Sequence, residues 1–218
     1  MDLQGKKIAF IGDSITEGYG TSAPEHIYCN IVAQRMGAQC FNYGISGSRI
    51  TPQRNITTSE PYETQYFSTR IDSMIPDADM VVIFGGVNDF GHGDAALGQF
   101  GDTTEDTFYG AYHTLLAKLI ERYPAAQLVV MTPLHCEREN ELYNAYGIRN
   151  AGPLSAYVRA IREVAESYGV VVVDLFRDCP IQPRNPVHKA RYTTDGLHPN
   201  DAGHQLVAQC LLNLLNYL

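Results

Sequence analysis

A serine near the start of the chain and a histidine near its end have the side chains of a nucleophile and its general base. Ser14 follows Gly12 and Asp13 at the end of the first apolar run of the sequence. His198 lies three residues after Asp195, so one short turn can place the carboxylate beside the imidazole. The second ring nitrogen would then face the serine hydroxyl, which is how a general base activates a serine for acyl transfer.

Three groups could donate hydrogen bonds to the oxyanion that forms during acyl transfer. The backbone N–H of Ser14 is one, and the backbone N–H of Gly47, where no side chain obstructs a substrate, is a second. The side-chain amide of Asn88 is a third, because an amide donates where a carboxylate would repel the charge. Each such donor commonly contributes about 10²–10³ in rate. Taken singly, Ser14 could instead be a helix N-cap, and Gly47 and Asn88 could be turn residues.

Further polar and aromatic residues could lie near a substrate. We expect five of them there: Asp13, Asp89, His92, Tyr143 and Tyr146. Asp13 and Asp89 are also interpreted as scaffolding, because their carboxylates can accept hydrogen bonds from nearby backbone. His92 follows Asn88 closely enough to reach the same substrate.

Other acidic and histidine residues offer alternative assignments. Asp174 ends the fifth apolar run and competes with Asp195 for the role of acid, although no histidine is near it in sequence. His204 falls within a predicted helix and is interpreted as a helix-face residue. A metal-dependent phosphoesterase is a rival class, whose ligands could be imitated by Asp13, Asn88, Asp89, His198 and His204. No ligand spacing typical of a two-metal site is present, so no metal is expected.

Short apolar runs alternate with amphipathic stretches along the chain, which is typical of a parallel sheet covered on both faces. Five runs predict strands, at residues 6–12, 39–44, 80–86, 127–132 and 170–176. Helices are predicted at residues 24–36, 104–122, 153–168 and 200–218. The pattern therefore predicts an α/β fold, a three-layer α/β/α sandwich with a five-stranded parallel sheet.

Two long segments, 48–70 and 133–152, match neither a helix nor a strand pattern. Both are polar and rich in Tyr, Arg and Asn, and loops of such length usually carry function. The second segment could instead pack against another subunit in an oligomer. No repeat or linker-like stretch divides the sequence, so we predict one domain spanning residues 1–218.

Composition excludes several classes of protein. The net charge is −8 and no cluster of Lys or Arg stands out, which argues against a nucleic-acid partner. No apolar run approaches the roughly 18 residues of a membrane span, so no integral membrane contact is expected. The five cysteines are scattered without a CxxC pair, and the N-terminus passes directly into a strand. A cytoplasmic location is expected, although a secreted protein whose leader had been removed would look the same.

Four sequence blocks carry a family resemblance: GDSITEG, NYGISGS, GVNDF and DGLHPN, in this order along the chain. They resemble the blocks of the SGNH (GDSL-type) hydrolase superfamily, with Ile15 where the traditional tag has leucine. The resemblance implies a flavodoxin-like fold without a cofactor or metal. It also implies the following roles: nucleophile Ser14, oxyanion donors Gly47 and Asn88, base His198 and supporting acid Asp195.

The sequence thus predicts a serine esterase, or acylhydrolase, that cleaves short-chain, in particular acetyl, esters of a polar or carbohydrate substrate. The substrate would be a small molecule or an oligosaccharide ester, because the two long segments contain polar-tipped aromatic and hydrogen-bonding side chains. These are Tyr62, Tyr66, Arg138, Tyr143, Asn144, Tyr146 and Arg149. The alternatives are a lysophospholipase or thioesterase acting on longer acyl chains, and a catalytically silent carbohydrate-binding module on the same scaffold.

Overall fold

In the computed structural model, which describes residues 2–55, 61–145 and 147–217, five strands form a parallel sheet. The strands are β1 (Lys7–Gly12), β2 (Gln39–Gly44), β3 (Met80–Phe84), β4 (Gln127–Met131) and β5 (Val171–Val173). Their order across the sheet is β2-β1-β3-β4-β5. The predicted fold class and all five strands are confirmed, but β5 is shorter than expected because a short helix begins at Leu175.

The strands at the centre of the sheet end level with one another. Gly12 at the end of β1 pairs with Gly44 of β2 on one side and with Phe84 of β3 on the other. Both pairs are parallel, so the residues that follow these three strands lie at the same edge of the sheet. Side chains that follow β1 and β3 are therefore neighbours across the crevice at this edge.

Helices cover both faces of the sheet. Their bounds are α1 (Ser14–Glu17), α2 (Tyr28–Met36), α3 (Pro61–Thr64), α4 (Phe67–Arg70), α5 (Val87–His92), α6 (Phe108–Arg122), α7 (Leu154–Ser167), α8 (Leu175–Asp178), α9 (Pro186–Tyr192) and α10 (Asp201–Leu215). Two single 3₁₀ turns lie at Pro24–His26 and Ile71–Ser73. Among the described residues, no helix combines the length and apolar character that crossing a membrane requires.

Alternate strand residues contribute to two separate cores. Ile11 and Ile83 pack in the core under α6 and α7, whereas Phe10 and Val82 pack in the core under α2 and α10. Because both faces of the central strands are buried, their sequences are almost continuously apolar rather than alternating. This explains why apolar runs identified the strands.

The four predicted helices are present, with small differences at their starts. The stretch 24–36 divides into the first 3₁₀ turn and α2, and the predicted 104–122 helix begins only at Phe108. Thr107 sets that start, because its side chain accepts a hydrogen bond from the N–H of Gly110. Asn200 caps α10 in the same way, through the N–H of Gly203.

The expectation that segment 48–70 forms no regular element is wrong in part. It contains α3 and α4, and Phe67 of α4 is fully buried in the core, with the guanidinium of Arg70 4.7 Å from its ring centre. These helices are four residues long, too short to give a periodic pattern. Segment 133–152 contains no helix or strand among its described residues, apart from an isolated bridge between Tyr143 and Arg149.

We predict that Gly44→Ala destabilises the protein by about 1–3 kcal/mol, the usual cost of overfilling a packed site. A Cβ at Gly44 would lie 2.1 Å from the backbone N of Glu17, so α1 would have to move away from β2. Urea denaturation of both proteins measures the difference. Gly101→Ala is the matched control, because no atom lies within 4 Å of its added Cβ; equal stability of both variants would contradict this account.

Candidate active site

The turn between β1 and α1 presents Ser14 at the carboxyl edge of the sheet. Asp13 is the N-cap of α1, and its Oδ1 accepts a hydrogen bond of 3.0 Å from the N–H of Ile15. Ser14 is therefore the first helical residue rather than the cap, and its hydroxyl is available for another partner. The simpler interpretation of Ser14 as an N-cap is wrong.

Ser14, His198 and Asp195 form a continuous hydrogen-bonded chain. Ser14 Oγ lies 3.0 Å from His198 Nε2, and His198 Nδ1 lies 2.7 Å from Asp195 Oδ2. The other oxygen of Asp195 accepts from the backbone N–H groups of Leu197 and His198, at 2.9 and 2.8 Å. Partial burial opposes ionisation of Asp195, but these backbone donors and the His198 ring lower its pKa below the ordinary value.

The ionised carboxylate fixes the protonation of the imidazole. A carboxylate can only accept, so His198 Nδ1 must carry the hydrogen that lies between it and Asp195. In the neutral ring, Nε2 is then an acceptor and faces the hydroxyl of Ser14. This arrangement can withdraw a proton from Ser14 when its oxygen attacks an electrophile.

The other predicted acid and histidine have structural roles. The side chain of Asp174 caps α8 through the N–H of Arg177 and also binds Arg162 at 2.8 Å. His204 is fully buried on α10, and its Nδ1 accepts from the backbone N–H of Tyr28 at 3.2 Å. Within the part of the chain that the structure describes, no group of three or more His, Cys, Asp or Glu residues is arranged to hold a metal ion.

Gly47 lies in a turn that is hydrogen-bonded to the end of β1 and to α5. The N–H of Ser48 closes the turn on the carbonyl of Ile45 at 3.1 Å, and Gly47 has a φ of +77°, which favours glycine. Ser48 Oγ donates to the carbonyl of Gly12 at 3.3 Å, and the Asn88 amide Nδ2 donates to the carbonyl of Ser48 at 3.0 Å. These contacts bring the Gly47 turn and Asn88 to the edge at which Ser14 lies.

The carboxylates of Asp13 and Asp89 lie beneath this edge. Asp89 is 4% exposed and accepts hydrogen bonds from the N–H groups of Ile50 and Thr51, at 3.0 and 2.9 Å, and from the Thr51 hydroxyl at 2.7 Å. Asp13 is only 1% exposed. Their bonds to backbone agree with the scaffolding interpretation, and contact of either carboxylate with a substrate stays a prediction.

A small cavity opens beside Asn88 and Asp195. Its volume is about 210 Å³, and its wall includes His92 and Tyr143, two of the residues predicted to lie near a substrate. Tyr143 is largely exposed at this wall. Tyr146 lies outside the described residues, and Tyr66 donates instead to Glu105 at 3.1 Å.

Several residues of the site were not found from the sequence. The ring of Tyr19 contacts that of His198 at a tilt of 53°, with 4.4 Å between ring centres, and the Tyr19 side chain is largely exposed. Arg70 is buried and donates to the carbonyls of Tyr43 at 2.6 Å and Gly12 at 3.1 Å. No spacing in the sequence marks these residues, because their partners come from other elements of the fold.

The parallel α/β sheet and its polar carboxyl edge define a hydrolase of the SGNH fold, and the sequence comparison identifies the family. The sequence model of the GDSL-like Lipase/Acylhydrolase family matches residues 10–206, so the chain belongs to that family. No curated protein matches the sequence.

Solved structures with the same fold cover nearly the whole chain. A protein from Lactobacillus plantarum is 34% identical, with a TM-score of 0.82, over 99% of this chain and 98% of that one. The acetyl xylan esterase AlAXEase is 24% identical, with a TM-score of 0.66, over 95% of this chain and 98% of that one. A two-domain esterase active on acetylated mannans is 23% identical, with a TM-score of 0.65, over 98% of this chain and 49% of that one. The last two structures, at 24% and 23% identity, show that this chain shares their fold.

The buried carboxyl group of Asp13 gives a prediction about pH. Burial raises the pKa of Asp13 from 3.8 to about 7, although the nearby Arg70 and the Ile15 N–H lower it in part. Because the folded-state pKa is the higher one, the stabilising contribution is fully present below about pH 3.8 and is lost as the pH rises through about 7. The unfolding free energy of the wild type, relative to Asp13→Asn, should therefore fall by about 4 kcal/mol between pH 4 and 8.

Urea denaturation of both proteins at pH 4, 6 and 8 measures this difference. Asparagine can still accept from the N–H of Ile15, so α1 keeps its cap. Asp72→Asn removes the same charge from an exposed position and controls for net charge. A constant difference between wild type and Asp13→Asn across this pH range would contradict the assignment.

Proposed function

We propose that the protein is a serine esterase that cleaves short-chain, in particular acetyl, esters of a polar or carbohydrate substrate. The observation that supports this most directly is the hydrogen-bonded chain from Ser14 through His198 to Asp195, with separations of 3.0 and 2.7 Å. Membership of the acylhydrolase family supports the same class of reaction.

The mechanism proceeds in two halves through an acyl-Ser14 intermediate. Ser14 Oγ attacks the ester carbonyl carbon while His198 Nε2 takes the hydroxyl proton, and Asp195 stabilises the resulting imidazolium. The N–H groups of Ser14, Gly47 and Asn88 bind the oxyanion. The imidazolium then gives its proton to the leaving alcohol as the ester C–O bond breaks. Water attacks the acyl carbon and gives its proton to His198, which returns it to Ser14 Oγ as the bond between the acyl carbon and Oγ breaks and the carboxylic acid leaves.

The size of the cavity supports a small acyl group. Its volume of about 210 Å³ is below the roughly 300–1,000 Å³ of most ligand pockets. The exposed rings of Tyr143, in the cavity wall, and of Tyr19, beside His198, offer flat faces with hydroxyl tips, which suit a sugar or another polar alcohol. Two proteins of the same fold, AlAXEase and the two-domain esterase, act on acetylated xylan and acetylated mannans, and acetylated carbohydrates are accordingly the first substrates to test.

We predict that Ser14→Ala lowers the turnover of p-nitrophenyl acetate by at least about 10³-fold, because no nucleophile remains. His198→Ala should lower turnover nearly as much, while Asp195→Ala should keep part of the activity. A fluorophosphonate probe should label the wild type at Ser14 and leave Ser14→Ala unlabelled. Circular dichroism checks that each variant is folded.

Two controls make this test specific. Ser73→Ala removes a hydroxyl that donates only to the local carbonyl of Arg70, at 2.7 Å, and should keep wild-type turnover. Adding a chelator to the ester-cleavage assay tests the metal-dependent phosphoesterase class, which a loss of activity would favour. Labelling of neither folded protein would instead favour a carbohydrate-binding module without catalytic activity.

The acyl chain gives a separate prediction. Among p-nitrophenyl acetate, butyrate and octanoate, kcat/KM should be about tenfold or more lower for octanoate, on the proposal that a short acyl group lies in the small cavity beside Asn88. Release of acetate from acetylated xylo-oligosaccharides, measured against Ser14→Ala, tests the polar alcohol. A preference for octanoate would support the lysophospholipase or thioesterase alternative.

A further inference from the structure

A chain of buried and partly buried polar groups leads away from the Asn88 amide. Asn88 Oδ1 lies 3.0 Å from Nε2 of His92, and Nδ1 of His92 lies 2.8 Å from Nη1 of Arg49. Arg49 in turn contacts the carboxylate of Glu63 at 3.3 Å, and both side chains are 1% exposed. Asn88 and His92 are four residues apart on α5, so they lie on the same face of this helix.

The donors and acceptors in this chain can be assigned from the arginine. A guanidinium can only donate, so Nδ1 of His92 must accept the hydrogen bond from Arg49. The neutral ring then carries its hydrogen on Nε2, which donates to Asn88 Oδ1. The carbonyl oxygen of the amide is thereby identified, and the opposite atom is Nδ2, the donor.

We propose that Arg49 and His92 act as positioning residues that orient the Asn88 amide with its N–H groups toward the substrate oxyanion. The inference rests on the proposed esterase function. One N–H of Asn88 donates to the carbonyl of Ser48, and the amide lines the cavity, where the other can meet an oxyanion.

The orientation matters because the two ends of an amide are opposite in polarity. If the amide turned by 180°, Oδ1 would face both the Ser48 carbonyl and the oxyanion, and two acceptors would repel each other. His92 excludes this arrangement, since its Nε2–H needs an acceptor on Asn88. Because the guanidinium of Arg49 can only donate to Nδ1, the hydrogen of the neutral His92 ring stays on Nε2.

The charge state of the ring agrees with this assignment. Burial, together with the positive charge of Arg49, lowers the pKa of His92 to about 4. A protonated ring would present an N–H to Arg49 at Nδ1, where an acceptor is required. The carboxylate of Glu63 contacts the other terminal nitrogen of the guanidinium, Nη2, and compensates its charge.

A double-mutant cycle tests whether His92 acts through Asn88. We expect His92→Leu to lower kcat for p-nitrophenyl acetate about 10- to 100-fold, part of the effect of losing an oxyanion donor, with little change in KM. In the Asn88→Ala background, the same substitution should change kcat less than about twofold, because no amide remains to orient. A full additional loss in that background, or an unchanged kcat in the single variant, would overturn the proposal.

His92→Gln is the conservative variant and keeps the test independent of folding. The glutamine amide can accept from Arg49 through its oxygen and donate to Asn88 through its nitrogen, so it should restore most of the kcat that leucine loses. His113→Leu is the matched control, since His113 lies outside this cavity and contacts the Phe100 carbonyl at 2.9 Å. Failure of glutamine to restore kcat in a folded protein would contradict the positioning role.

A measurement without substrate separates this inference from the esterase proposal. ¹⁵N NMR of the wild-type protein, assigned by comparison with His92→Gln, should show a neutral His92 ring with its hydrogen on Nε2 at pH 7. A hydrogen on Nδ1, or a doubly protonated ring, would overturn the inferred arrangement of Arg49, His92 and Asn88. If the wild type cleaves no ester, the proposed function fails, and the ring tautomer still decides whether Arg49 and His92 are arranged as inferred.

Discussion

The direct pairing of β1 with β3 is the constraint on which the site depends. These strands are separated by nearly 70 residues in sequence, yet Gly12 and Phe84 are partners in register. Because the two strands are parallel, the segments that follow them leave the sheet at the same edge. Ser14 and Asn88 therefore both lie at this edge, in the first turns of α1 and α5. β2 adds the Gly47 turn from the other side of β1. Such a crevice next to the first strand is where open α/β sheets place their ligands.

A layer of buried charged groups holds the loops at this edge. Loops that leave a sheet carry backbone groups without sheet partners, and these must be satisfied when buried. Asp89 supplies acceptors for the N–H groups of Ile50 and Thr51, and Arg70 supplies donors for the carbonyls of Tyr43 and Gly12. Ionised groups buried in this way are costly, as the raised pKa of Asp13 and the lowered pKa of Arg70, at about 10, indicate.

The sequence predicts the elements whose pattern is local and misses those that depend on tertiary contacts. Apolar runs identify the strands because both faces are buried, and Asp195 and His198 are recognisable because one turn joins them. Asp89 follows Asn88 in the sequence, but adjacent helix residues point in different directions, and its carboxylate faces the loop at Ile50 as the scaffolding interpretation predicts. Arg49 has no such signal at all. Arg49 lies in a loop and contacts His92 and Glu63, which come from two different helices, so only the fold brings these residues together.

The histidine reaches the site through the packing of the last helix. The loop before α10 is closed by the N–H of Thr194, which donates to the carbonyl of His198 at 2.9 Å, and by Asn200, which caps the helix. Val207 and Leu211 of α10 are fully buried in the same core as α2 and β1. Ser14 begins α1 directly after the inner strand β1, whereas its partner ring depends on a helix that packs against the finished sheet. The Ser14–His198 contact therefore reports correct assembly of the entire fold rather than of one local segment.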